Sequence, residues 1–141
     1  MTDSLTPSER SIRMARIGSE DTSPELLVRK GLHRAGFRFV LHKRNMPGRP
    51  DIVLPRYRAV VLVHGCFWHR HVGCKVASTP KSNVEYWNEK FERNVKRDEK
   101  VRRELSELGW RVFVIWECET RPAALMRAIE RLASAIRHQA F

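Results

Sequence analysis

Two apolar runs frame the chain. AVVLV (59–63) and VFVIWE (112–117) both read as buried strands, and between them an amphipathic stretch from about Val84 to Leu108, ended by Gly109, predicts one long helix. A strand, a helical crossover and a second strand in that order make the last strand parallel to one of the earlier ones. The remaining elements fit around this unit. FRFVL (37–41) and DIVL (51–54) predict two further strands, joined by the turn-rich NMPGRP, and the short PRYR makes DIVL and AVVLV sheet neighbours. Thr22, Ser23, Pro24 and Glu25 form a capping-box pattern that opens a helix running through Leu26, Leu27 and Leu32 to Gly36. Ala123 to Ile136 predicts a closing amphipathic helix. The fold class is therefore α/β, with a mixed central sheet and helices on both faces.

A chain of 141 residues has the size of one domain. Residues 1–20 are expected to form a flexible N-terminal arm carrying a short helix over Ser8–Ile17, and residues 21–141 a single domain. The 27 Lys and Arg against 16 Asp and Glu give a net charge of +11. Arg29, Lys30, Arg34, Arg38, Lys43, Arg44, Arg49, Arg56 and Arg58 face one acid, Asp51, across that segment. Clustered cations favour nucleic acid through counterion release; otherwise they form a solvated face. An anionic membrane is a poorer partner, because no basic amphipathic helix with an aromatic face is present. No signal peptide and no membrane-length apolar run is found, so a cytoplasmic location is expected. In a reducing compartment, three cysteines remain free for metal or catalysis.

Directly after AVVLV comes HGCFWHRHVGC (64–74), with three of the six histidines and two of the three cysteines. Zinc takes four N or S ligands tetrahedrally, and Cys66, His71 and Cys74 have suitable spacing. Cys118, at the end of VFVIWE, is a candidate fourth ligand if the two strands are adjacent. The alternative is three small buried apolar cysteines. Four protein ligands would make the zinc structural, since no position remains for water. His64 and His69 are then left for other work.

Two carboxylates stand out. Asp51 opens a strand in basic surroundings, either as a turn residue after Pro50 or as a metal ligand. On the long helix the apolar stripe Val84, Trp87, Phe91, Val95, Val101, Leu105, Leu108 is interrupted where Asp98 stands. Unless the helix turns that position to solvent, Asp98 needs a partner, which His64 or His69 can supply. A carboxylate can hold Mg²⁺ against a phosphate while a histidine deprotonates water. Glu25 is either a group near that metal or a capping residue.

PGRPDIVL, VHGCFWHRH, EYWNEKFERNVKRD and GWRVFVIWEC together resemble the very short patch repair (Vsr) endonuclease family, over about Ser8 to Cys118 with nearly constant spacing. The resemblance implies a restriction-endonuclease-like three-layer α/β/α fold with a structural zinc site. It also implies Mg²⁺-dependent nicking of one DNA strand beside a T·G mismatch left by deamination of 5-methylcytosine. By the same resemblance Asp51 binds the metal, His69 is the general base, His64 is a further catalytic histidine, Asp98 is the acidic partner and Glu25 lies near the metal. Cys66, His71, Cys74 and Cys118 match the zinc ligands. Phe67, Trp68 and Trp87 match an aromatic wedge pushed between base pairs, although spacing alone puts Trp87 in the core. Met14 matches a residue of the arm that grips DNA, and Lys90 and Asn94 match groups near the mispair.

The family usually has Thr at the position of Val63, which here offers the metal only its backbone carbonyl. A Glu-x-Lys pattern common in nucleases is also missing from AVVLV. The partners implied are mismatched duplex DNA and other mismatch-repair proteins, with a monomer acting at the bacterial nucleoid. Two competing readings are a restriction-type endonuclease on matched DNA and a zinc-stabilised DNA-binding module without catalysis.

Overall fold

The computed structural model describes residues 22–74 and 81–138. Within them the chain runs α1 (Ser23–Arg34), β1 (Val40–Leu41), β2 (Ile52–Leu54), β3 (Ala59–His64), α2 (Val84–Glu107), β4 (Arg111–Trp116) and α3 (Leu125–His138), with 3₁₀ turns at Pro55–Tyr57 and Glu117–Thr120. The arm expected over residues 1–20, its helix and Met14 lie outside the described residues. No helix among the described residues is long and apolar enough to cross a membrane.

The four strands form one mixed sheet in the order β1-β2-β3-β4. β1, β2 and β3 are successively antiparallel, as short turns require, whereas β4 returns through α2 and pairs parallel to β3 along six positions, from Ala59 opposite Arg111 to His64 opposite Trp116. That register brings the loop after β3 and the turn after β4 to the same end of the sheet.

Side-chain alternation along the central strands divides the core. Ile52, Leu54, Ala59, Val61 and Ile115 face α1 and α3, where they meet Val28, Leu32, Ile129, Leu132 and Ile136. Val53 and Val60 point the other way, towards Leu105 and Val101 of α2 and Met46 of the β1–β2 turn. Helices therefore cover both faces, as the sequence predicts. Two glycines are required by close approach. A Cβ on Gly31 would lie 2.6 Å from Ile129 Cγ1, and one on Gly48, whose φ is +69°, would lie 2.4 Å from Val101 Cγ1. Gly48 lets the turn before Asp51 pack directly on α2.

The strand expected over 37–41 is a correction: only Val40 and Leu41 pair. Its first residues terminate α1 instead. Gly36 adopts φ +98°, the Phe37 amide donates to the Leu32 carbonyl at 3.1 Å and the Gly36 amide to that of His33 at 3.0 Å. This is a Schellman closure, and the fully buried Phe37 ring seals it. The closing helix starts at Leu125 rather than Ala123 and reaches His138. Arg111 donates to the carbonyls of Tyr57, Ala135 and Ile136, tying the last turn of that helix to the sheet.

Candidate active site

Asp51 stands just before β2, where the β2–β3 ladder stops at Ile52 opposite Val61. Its side chain continues the pairing: the Val63 amide donates to Asp51 Oδ2 at 2.8 Å. Beside it, Glu25 is 2 % exposed in the first turn of α1. The Glu25 amide donates to Thr22 Oγ1, so the residue takes part in the cap, but its carboxylate turns inward to Arg29 and His42. Withdrawal from water, and then the hydrogen bond shared with Glu25, push the Asp51 carboxyl up to about 8, while the Val63 amide pulls it down. One oxygen each from Glu25 and Asp51 and a ring nitrogen of His42 lie within 4.8 Å of one another. Two carboxylates forced together in a dry place stabilise a cation, and these donors suit a divalent one.

His64 ends β3 and is buried. Its ring stacks on His69 at 4.0 Å and 5°, and meets the edge of Trp116 at 5.2 Å. Burial, and then the neighbouring His69, hold the His64 imidazole down to about 4, so it is neutral near pH 7. His69 Nδ1 lies 2.5 Å from Asp98 Oδ2. The gap in the apolar stripe of α2 is thus filled by a histidine pair at the boundary with solvent, and the partner is His69. A carboxylate on Nδ1 fixes the tautomer that leaves Nε2 able to accept a proton. Together His64, His69 and Asp98 form a second group able to hold a metal or move a proton.

The same loop then turns away to a third group. Cys66, His71, Cys74 and Cys118 present ligand atoms within 4.8 Å of one another. His71 Nδ1 is 3.6 Å from Cys66 Sγ and 3.5 Å from Cys118 Sγ. A tetrahedral zinc with bonds of about 2.3 Å to sulfur and about 2.0 Å to nitrogen sets that separation at about 3.5 Å. The Cys66 amide donates to Glu117 Oε1 and the Cys118 amide to Cys66 Sγ, fixing the loop on the turn after β4. Burial pushes the Cys66 thiol up to about 12 and raises Cys118, so a metal held by these sulfurs must displace their protons.

The aromatics expected in a wedge are brought together. Phe67 packs edge-on against Trp68, Trp87 and Phe91 at 5.2, 5.7 and 5.1 Å, and Trp68 lies 5.9 Å from Trp87. Phe67, Trp68 and Trp87 are only partly buried, whereas Phe91 behind them is 6 % exposed. Lys90 Nζ lies over the Trp68 ring at 5.1 Å, and Asn94 Nδ2 donates to the Trp68 carbonyl at 3.2 Å. Both of these residues therefore contact the loop tip in this structure.

Three residues at the site are not foreseen from the sequence. Arg29 meets Glu25 as an i,i+4 pair on α1, and His42 joins them because the chain after β1 folds back over α1, in a stretch with no recognisable pattern. Trp116 reads as strand core, yet it stacks on His71 at 4.1 Å and 7° and touches His64, so one indole separates the two halves of the loop.

The family model for the DNA mismatch endonuclease Vsr matches residues 2–75. The chain is 46 % identical over 128 residues to the type II nicking enzyme V.XorIIP of Xanthomonas oryzae pv. oryzae, covering 91 % of this chain and 93 % of that protein. It is 46 % identical over 137 residues to the type II nicking enzyme V.NmeAIP of Neisseria meningitidis, covering 97 % and 96 %. With the DNA mismatch endonuclease Vsr of Escherichia coli it shares 40 % identity over 121 residues, covering 86 % and 77 %. The chain belongs to the Vsr family of DNA endonucleases.

Proposed function

We propose that this endonuclease nicks one strand of duplex DNA beside a T·G mismatch, with Mg²⁺ at Asp51 and His69 as general base, on a restriction-endonuclease-like α/β/α scaffold. The reading rests on one observation above all: a single loop gives His64 and His69 to Asp98, and Cys66, His71 and Cys74 to Cys118, beside a separate carboxylate site. Two similar proteins are named nicking enzymes and a third a mismatch endonuclease, which supports cleavage of one strand at a mispair.

Bound Mg²⁺ supplies charge stabilisation for the phosphate and orients the reacting groups. Asp51 is the anionic donor, and Glu25 beside it adds negative charge. The Val63 amide points to Asp51, and a strand residue directs its N–H and C=O to the same edge, so the Val63 carbonyl is placed to serve as a further donor. The valine side chain packs against the core, which leaves the backbone carbonyl as the group Val63 offers. His69, oriented by Asp98, takes a proton from water at Nε2. His64, uncharged and stacked beneath it, positions the ring and offers a second imidazole near the scissile phosphate.

The Cys66, His71, Cys74 and Cys118 group takes a structural Zn²⁺ that stiffens the loop. Phe67, Trp68 and Trp87 form a wedge whose insertion costs about a few kcal/mol of unstacking, least at a weakened pair, which favours mismatches. Residues 1–20, with Met14, serve as the DNA-gripping arm of the single domain over 21–141. One phosphate per event suits a cytoplasmic monomer. Asp51→Asn is expected to abolish Mg²⁺-dependent nicking while leaving mismatch binding in place, read on a labelled T·G duplex. Undiminished nicking by that variant would overturn the assignment.

A further inference from the structure

We infer that His42 is a third protein donor to the cation site of Glu25 and Asp51, and that its imidazole biases the site towards Mn²⁺ over Mg²⁺. This rests on the reading that Asp51 holds the catalytic cation. His42 follows the two-residue strand β1, in a stretch that carries no recognisable metal-binding spacing. The fold nevertheless commits it to the site. Its backbone takes the left-handed conformation, φ +46°, and its amide donates to the Asp51 carbonyl at 3.3 Å. The chain is thereby turned back over the first turn of α1, with a side chain only 15 % exposed. A left-handed histidine is uncommon away from glycine-like positions, and here the hydrogen bond to Asp51 holds it.

The distances suit coordination. His42 Nε2 lies 3.2 Å from Glu25 Oε2, and one ligand atom each of His42, Glu25 and Asp51 lie within 4.8 Å of one another. Neighbouring donors of an octahedral ion with bonds of about 2.1 Å stand about 3 Å apart, and opposite ones about 4.2 Å. The proton arrangement suits it too. Arg29 Nη2 is 2.8 Å from His42 Nε2, and a guanidinium can only donate. With Nε2 as acceptor its lone pair is engaged by Arg29, and a cation bound between Glu25 and Asp51 would take the place of that guanidinium donor. The same Arg29 nitrogen bonds Glu25, so the cluster already accommodates a cationic group between these two donors.

An imidazole nitrogen discriminates where carboxylates do not. Mg²⁺ prefers an all-oxygen shell and keeps its water, whereas first-row transition ions accept a nitrogen donor readily. A His42 ligand should consequently tighten Mn²⁺ more than Mg²⁺. If His42 instead only orients Glu25 by hydrogen bonding, both ions should respond alike to its removal.

The experiment titrates Mn²⁺ into the zinc-loaded, DNA-free protein by electron paramagnetic resonance. Pulsed measurements then read ¹⁴N modulation from a coordinated imidazole, and Mg²⁺ competition gives the second affinity. His42→Asn is the informative variant, because asparagine tolerates the left-handed backbone. Unchanged far-UV circular dichroism and melting temperature in EDTA qualify it, and His42→Gln serves as a second variant read in the same way. The expected result is nitrogen modulation in the wild type, its loss in the variant, and a Mn²⁺ affinity lowered about 10-fold with Mg²⁺ affinity changed less than about 2-fold. Equal nitrogen modulation and equal Mn²⁺ affinity in variant and wild type would overturn the inference, as would a parallel loss for both ions. Asp51→Asn separates the two levels. Wild-type Mn²⁺ binding by that variant defeats the Asp51 reading itself, whereas its loss there with no effect at His42 defeats only the role of His42.

Discussion

His69 Nδ1 and Asp98 Oδ2 stand 2.5 Å apart, joining the loop after β3 to the middle of α2. Because His69 also stacks on His64, one carboxylate on a helix sets the orientation of both imidazoles at the end of the sheet. Asp98→Asn keeps the shape but presents a neutral amide that can stabilise the wrong tautomer. A single-turnover nicking rate lowered about 10² to 10⁴-fold is expected, with affinity for mismatched DNA little changed in Ca²⁺. A rate within about twofold of wild type would remove His69 from the role of base.

Without metal, the fold should lose stability between pH 6.5 and 8. Asp51, raised from 3.8 to about 8, keeps a proton in the folded state that the unfolded chain releases, so stability falls as pH rises across that range. His64, lowered from 6.5 to about 4, works in the opposite sense: the unfolded chain binds the extra proton, and stability rises with pH up to 6.5. The two offset each other below 6.5, and above it Asp51 acts alone, costing up to about 2 kcal/mol by pH 8. Urea melts in EDTA at the two pH values measure this, and millimolar Mg²⁺ should flatten the trend. Rising stability from pH 6.5 to 8 in EDTA would contradict the protonated Asp51.

The purified wild type is expected to carry one zinc per chain, and Cys118→Ser to release it. Loss of that cross-link, which ties β4 to the loop carrying His64 and His69, should lower the melting temperature by about 10 °C. Elemental analysis and calorimetry test both parts. A wild-type protein without zinc, or a variant that melts unchanged, would leave the cysteines as buried apolar groups.

Trp68→Ala should weaken binding to T·G duplex by about 1–3 kcal/mol, because stacking on a base is lost while Phe67, Trp87 and Phe91 retain their mutual packing. Fluorescence anisotropy against matched duplex separates this from loss of general affinity. An equal loss on both duplexes would assign Trp68 to backbone contact rather than unstacking.

Much of this site was legible in one dimension because its groups violate local pattern. Asp98 interrupts an apolar stripe, Asp51 is the lone acid in a basic stretch, and Cys118 ends a strand whose parallel partner leads into Cys66. Each anomaly asks for a partner, and short loops plus one crossover determine where it must be. FRFVL was misleading for a physical reason: Phe37 has strand propensity, but Gly36 commits the chain to closing a helix, and the amides follow. His42, Arg29 and Trp116 conform to ordinary patterns, a loop histidine, a helix arginine and a strand tryptophan. The folding of the chain after β1 back on α1 brings His42 to the Glu25–Arg29 pair, and the register of β4 on β3 brings Trp116 to His71.

The deciding measurement is a nicking assay on a short duplex with one central T·G pair in varied flanks, run beside the matched duplex, with Mg²⁺ and with EDTA. A Mg²⁺-dependent break confined to the T strand of the mismatched duplex is the expected result. Equal cleavage of matched DNA, or binding to the mispair with no break in any flank, would contradict it.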